Sequence, residues 1–298
     1  MSFEDLPPLP PLLQPGAAEY AERICAQSRL AMAKCVTRLD LPYGSDYWQK
    51  VDIYLPGEPL PGVAWPVLSF IHGGAWMNGC KEWLGFMAPA LVDTPMVFVS
   101  ISHRLAPQTK MPEIVDDCLD AIAWVYKNIK DFGGDPNRIS IGGHSAGAHL
   151  ASLVALRRDL LQARGLPRDT IKACLPVSGT FDFRFSNPAP GTIEHRILHE
   201  IMRGPDEAWE FSPLRYVREN DTPFFVTWGE SDFPRVARQG ETFVPALRAE
   251  GGIVRGQALP GYDHFTVHES CAHASGSWAS VARRWVSGGF DEANPKVK

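Results

Sequence analysis

Short apolar runs with no regular polar alternation occur at 66–71 (PVLSFI) and 96–101 (MVFVSI). Such runs belong to strands covered on both faces, as a parallel sheet requires. Elsewhere the period changes: Ile114, Val115, Leu119, Ile122, Ala123, Val125 and Tyr126 fall on one helical face, opened by Pro112 and stopped by Gly133 and Gly134. The same reading predicts helices over 17–33, 146–161, 236–250 and 272–286. It predicts further strands over 47–55, 139–142, 171–178, 223–228 and 253–259, with Asp135-Pro136-Asn137-Arg138 as a turn. Strands alternating with helices over most of the length predict an α/β class built on a doubly wound, mainly parallel sheet. Residues 181–218 break the rhythm, with Pro188, Pro190, Pro205 and Pro213 around a helical piece at 193–202. That stretch is too long for a bare loop. Together with 1–35 it is expected to form a small helical cap over the carboxyl ends of the strands, within one domain spanning 1–298.

Composition narrows the class. With 45% hydrophobic and 21% charged residues, the chain has the balance of a packed globular protein. Its 34 acidic and 29 basic residues give a net charge of -5 and include no long basic run, which excludes a nucleic-acid partner. The apolar runs fall far short of the roughly 18 residues that span a bilayer, so no membrane association is expected. Acids and prolines fill the start, MSFEDLPPLPPLLQPG, where a secretory signal would place positive charge and an unbroken apolar stretch. We read it as a mature cytoplasmic start. Six cysteines (Cys25, Cys35, Cys80, Cys118, Cys174, Cys271) lie without a CxxC pair and are expected as reduced thiols. His195 and His199 are four apart, as are His264 and His268, but no third ligand is placed near either pair, so no metal and no cofactor is expected.

The chemistry concentrates in Gly143-His144-Ser145-Ala146-Gly147, a GxSxG motif between an apolar strand and a helix of small residues. A serine on so sharp a turn has its hydroxyl lifted clear of the backbone, as a nucleophile requires. Upstream, His72-Gly73-Gly74-Ala75-Trp76 follows a buried strand. The N–H groups of Gly73 and Gly74, with that of Ala146, suit a developing oxyanion. A serine also needs a histidine base and an acid to orient it. Asp232 and His264 each lie just past a predicted strand in the expected order, while Asp182, Glu230 and His268 are the competitors. Phe181, Phe183, Phe185, Trp209 and Phe211 around the cap are candidates for either pocket lining or plain core.

The segments HGG, SHRLAP, GGDPNRI, GHSAG and DH between about Tyr47 and His264 resemble the α/β-hydrolase fold and its hormone-sensitive-lipase-type esterases. Within that group, residues 143–151, Ser178-Gly179-Thr180-Phe181-Asp182, Asp232-Phe233-Pro234 with Arg238-Gln239, and Asp263-His264-Phe265 are most similar to the serine-type kynurenine formamidases (arylformamidases). The resemblance implies Ser145, Asp232 and His264 as triad and an N-formyl aryl amine as substrate. Ala75 departs from it, standing where those formamidases carry a tyrosine. The expected activity is therefore a Ser-His-Asp hydrolase of a small carboxylic ester or aryl amide. Trp76, Phe181, Trp209 and Phe265 are expected to contact a small-molecule substrate with an aromatic leaving part, Trp76 crowding the acyl side. The alternatives are a broad short-chain carboxylesterase without formamidase activity, or a non-catalytic receptor on the same fold. A homodimer is left open.

Overall fold

The computed structural model describes residues 6–12, 14–218 and 220–290. Eight strands form one sheet: β1 (Val36–Pro42), β2 (Lys50–Leu55), β3 (Trp65–Ile71), β4 (Val97–Ile101), β5 (Gly134–His144), β6 (Ile171–Val177), β7 (Phe224–Gly229) and β8 (Val254–Leu259). Their order is β1-β2-β4-β3-β5-β6-β7-β8. β1 and β2 run antiparallel to their neighbours, and all pairs from β4 onward are parallel. This is the α/β-hydrolase arrangement, with the carboxyl ends of the parallel strands along one edge where loops can carry chemistry.

The helices are α1 (Ala17–Met32), α2 (Ala88–Val92), α3 (Met111–Asn128), α4 (Ala146–Leu156), α5 (Arg158–Ala163), α6 (Ile193–Arg196), α7 (Pro234–Ala249), α8 (Thr266–Glu269) and α9 (Ser277–Val286). They divide the core in two. One cluster packs α3, α4 and α7 on the sheet through Ile114, Ile122, Leu150, Val154 and Phe243. The other packs α1 and α9 through Tyr20, Ile24, Trp278 and Trp285. β3, β4, β6 and β7 are buried along nearly their whole length, which explains why their sequences lack alternation. No helix among the described residues is long and apolar enough to cross a membrane.

Several boundaries move. β1 was not predicted: it is a half-buried edge strand with a register shift between Arg38 and Leu41, so neither period shows in VTRLDLP. β5 begins at Gly134 instead of Ile139, because the expected Asp135–Arg138 turn runs on into the strand. The helix expected over 146–161 breaks at Arg157, whose backbone (φ -87, ψ 61) is not helical. Residues 272–286 open as a 3-10 turn and become α9 only at Ser277. Between β3 and β4 the connection is two 3-10 turns and the short α2.

Candidate active site

Ser145 lies between β5 and α4 with φ 56 and ψ -116, a conformation that L-residues rarely adopt. The surroundings hold it there. Its N–H donates to the Val177 carbonyl (2.9 Å) at the end of β6. A Cβ on Gly147 would lie 2.0 Å from the Ile71 carbonyl oxygen, so only glycine lets α4 approach β3 this closely. Ser145 is thereby forced into a turn whose hydroxyl faces the loops that follow β7 and β8.

Those loops bring Asp232 and His264 to it. His264 Nε2 is 3.0 Å from Ser145 Oγ, and His264 Nδ1 is 2.8 Å from Asp232 Oδ1. An ionised carboxylate only accepts, so Nδ1 carries the proton and Nε2 offers its lone pair to the serine hydroxyl. The Asp232 side chain is fully buried. Burial alone would push its carboxyl up, but the hydrogen bond and charge of His264, the Ser178 hydroxyl (2.5 Å) and the Phe233 N–H (2.7 Å) outweigh it. They hold the group below the ordinary carboxylate range. Ser178 is a contact that sequence reasoning missed; its position at the end of β6, beside β7, was the available signal.

The backbone of His264 is held from beneath. His144 Nε2 donates to the His264 carbonyl (2.8 Å), and its ring stacks on that of His268 at 4.4 Å. His268 Nδ1 in turn accepts from the Tyr20 hydroxyl of α1 (2.6 Å). His268 is therefore a buried packing group and not a competing base. The other competitors lie apart: Asp182 is paired with Arg184, and Glu230 accepts from the Gly261 N–H at the surface.

Gly73 and Gly74 form the opposite wall. Gly74 has φ +116, and a Cβ there would stand 2.1 Å from the Asn78 carbonyl oxygen. Among the described residues, the N–H groups of Gly73, Gly74 and Ala146 have no protein acceptor. Gly73 and Gly74 line a cavity of about 490 Å³ together with Ser145 and His264, and Ala146 follows Ser145 directly at the start of α4. That volume suits a drug-sized molecule.

The lining corrects three expectations. Phe265 lines the cavity, but Trp76, Phe181 and Trp209 do not. Trp76 turns into the core, donating from Nε1 to His149 (3.2 Å) and packing edge-on against Phe183. Phe181 stacks on Phe243 at 4.1 Å, and Trp209 lies beneath the Arg184 guanidinium. The rings that face the cavity come from elsewhere: Tyr20 from α1, Trp83, and Phe233 beside Asp232. Periodicity cannot reveal them, because they meet only when distant loops converge. Pro10, Pro11, Leu12, Gly191, Ile193, Glu194 and Arg196, from the two segments expected as cap, also line the cavity. His195 and His199 pack ring to ring at 4.4 Å, and no group of three metal-ligating side chains occurs among the described residues.

The chain matches the BD-FAE family over residues 51–247. It is 34% identical to the esterase LipQ of Mycobacterium tuberculosis over 76% of this chain and 56% of LipQ, so it spans little more than half that relative's length. It is 30% identical to a kynurenine formamidase of Danio rerio, covering 78% of this chain and 76% of that one. The structure superposes on an esterase of Pyrobaculum calidifontis with a TM-score of 0.74 over 95% of this chain and all of the other, at 21% identity.

Proposed function

Because this chain belongs to the BD-FAE family and has the α/β-hydrolase fold, we propose that it is a serine hydrolase of a small carboxylic ester or aryl amide. One observation carries the reading: the continuous hydrogen-bond chain from Ser145 through His264 to Asp232. In it Ser145 Oγ attacks the acyl carbon as His264 Nε2 takes the hydroxyl proton. The negative charge that develops on the carbonyl oxygen is met by the N–H groups of Gly73, Gly74 and Ala146. The bond to the leaving group then breaks, and the departing oxygen or nitrogen receives the proton from His264. Water repeats the sequence on the acyl-enzyme, releasing the acid and restoring Ser145. Asp232 keeps His264 in the Nδ1–H tautomer throughout, and no step requires a cofactor. We read the setting as cytoplasmic, and residues 10–12 and 191–196 as cap.

Similarity to a kynurenine formamidase favours one particular substrate, an aryl formamide, alongside aryl esters. The cavity offers Tyr20, Trp83, Phe233 and Phe265 to a flat leaving group. The wall offers aromatic rings and few long aliphatic side chains, so longer acyl chains are not expected to gain the roughly 1–3 kcal/mol per methylene that a fitted slot gives. On phenyl formate, acetate, butyrate and octanoate, kcat/KM is expected to be highest for the two shortest and lowest for octanoate. Best turnover of octanoate would overturn the small-acyl reading. Formanilide turnover separates a formamidase from a plain esterase.

Gly74→Ala tests the oxyanion wall. The new methyl would meet the Asn78 carbonyl at a φ that alanine resists, so the loop must shift and its donors with it. Loss of one such donor typically costs about a hundredfold or more in kcat. A variant with unchanged kcat and unchanged melting temperature would remove Gly74 from the mechanism.

A further inference from the structure

The charges around the cavity are lopsided. Arg196 and Arg235 both line it, and the one carboxylate side chain in its wall is Glu194. Arg235 also lines a second, smaller cleft of about 320 Å³ on its other side, where Arg184 and Arg238 meet the single acid Asp182. Arg235 is thus the shared wall, with four arginines against two carboxylates around the two spaces. Glu200 pairs with Arg196 from outside the lining, so three of the four arginines have a carboxylate partner.

Existing partners leave the guanidinium groups with donors to spare. Arg235 gives Nε to Glu194 (2.8 Å) and Nη1 to the Thr180 hydroxyl (2.7 Å); Nη2 has no partner among the described residues. Burial outweighs the attraction of Glu194 and Asp232 and leaves its pKa below the ordinary value, so the positive charge is incompletely compensated. Arg196 directs Nε and Nη2 to one oxygen, Glu200 Oε2, and keeps Nη1. Arg238 has no ion-pair partner among the described residues. A planar guanidinium with free N–H groups in a desolvated wall is suited to a carboxylate or a similar oxyanion.

We infer that the substrate carries an acid group away from the bond that is cut, seated on Arg235 and Arg196 while the scissile carbonyl faces Ser145. The inference rests on the hydrolase reading above and adds to it the chemical class of the substrate. An aromatic ring held among Phe233, Phe265 and Tyr20 would carry or adjoin the acid, since Phe233 and Arg235 are two residues apart at the start of α7.

The test uses matched pairs, each rate divided by the same compound's alkaline hydrolysis rate to remove leaving-group differences. One pair carries the acid on the leaving part: 4-acetoxybenzoate against methyl 4-acetoxybenzoate, followed by phenol release. The other carries it on the acyl part: phenyl hemisuccinate against phenyl butyrate. In at least one pair the anionic member is expected to have the higher normalised kcat/KM by about tenfold or more, the size that loss of a charged recognition contact commonly gives. In Arg235→Gln that ratio should collapse toward one. Arg196→Gln, a change at a partly exposed cap residue, should lower the same ratio and keeps the test open if the first variant does not fold. A ratio of one or less in both pairs, with the neutral esters well hydrolysed, overturns the inference and leaves the hydrolase reading standing. A high ratio that neither variant alters overturns the arginine assignment. Failure to hydrolyse any ester overturns the hydrolase reading and this inference with it.

Discussion

Replacing Ser145 by alanine is expected to lower kcat by roughly a millionfold, the usual cost of losing a triad serine, while the protein remains folded. The two halves of that expectation have separate physical grounds. Activity depends on Oγ because it is the hydroxyl that stands 3.0 Å from the base. Stability depends little on it, because Ser145 is only partly buried and alanine has the same backbone preferences. The strained turn is held by the Ser145 N–H bond to Val177 and by the tight packing of Gly147, and the substitution touches neither. Thermal melting should therefore change little, and an aryl ester assay should fall to background. A fluorophosphonate probe should add one adduct per wild-type chain at Ser145 and none to the variant. Retention of more than a few per cent of activity, or labelling at another residue, would sink the assignment. Asp232→Asn should cost about ten-thousandfold, because an amide can no longer enforce the Nδ1–H tautomer of His264.

How much of this was legible in the sequence depends on how local the determining physics is. GxSxG and the adjacent glycines could be read directly, because the elbow and its opposing loop are short-range steric problems that only certain residue types solve. Asp232 and His264 could be read one step further, from strand order and chain direction. The order of Ser, Asp and His is imposed by the parallel sheet, and the loops after β7 and β8 place both side chains on the edge that bears Ser145. Of the pocket wall only Phe265, beside His264, was among the expected contacts. Trp76 and Phe181 looked like lining because they are large and lie near the motifs, yet burial is equally served by turning them into the core. Nothing in the sequence decides which way the backbone points them. Trp76 is turned inward by a backbone with φ +60 and by the hydrogen bond from its indole to His149. Tyr20 is the converse case. It reads as an ordinary apolar position of an N-terminal helix, and only the packed structure places it against His268 and the cavity.

The histidines around this site make a second large effect predictable, a steep loss of the fold in mild acid. His72, His103, His144, His149 and His268 are all essentially buried, and burial holds each below its ordinary pKa, His144 and His149 at about 3. The contacts of His149 require the neutral form: it accepts from the Trp76 indole on one nitrogen and donates to the Phe211 carbonyl from the other. The sign follows from which state binds protons. Above about pH 6.5 both folded and unfolded chains hold these rings neutral and nothing is lost. As pH falls below that value the unfolded chain takes up protons and the folded chain does not, so stability drops. A ring held neutral in the fold contributes up to about 1.4 kcal/mol per pH unit, so His144 and His149, at about 3, together make about 4 kcal/mol by pH 5, and His72, His103 and His268 act in the same direction. One group opposes them. Asp52, fully buried, has its carboxyl pushed up to about 6, chiefly by burial, so the folded chain gains a proton there first. That stabilises the fold by about 1–2 kcal/mol at pH 5, too little to offset five histidines. Against a typical total stability of about 5–15 kcal/mol, unfolding is expected with a midpoint between about pH 4.5 and 5.5. Tryptophan fluorescence and far-UV circular dichroism should change together and cooperatively across that range, and urea midpoints should fall steadily from pH 7 to pH 5.5. His149→Gln supplies both an acceptor and a donor without titrating, so it should shift the acid midpoint downward and reduce proton uptake on unfolding by about one. A wild-type protein whose urea midpoint stays constant from pH 7 to pH 5 would show that these rings are not held neutral in the folded state.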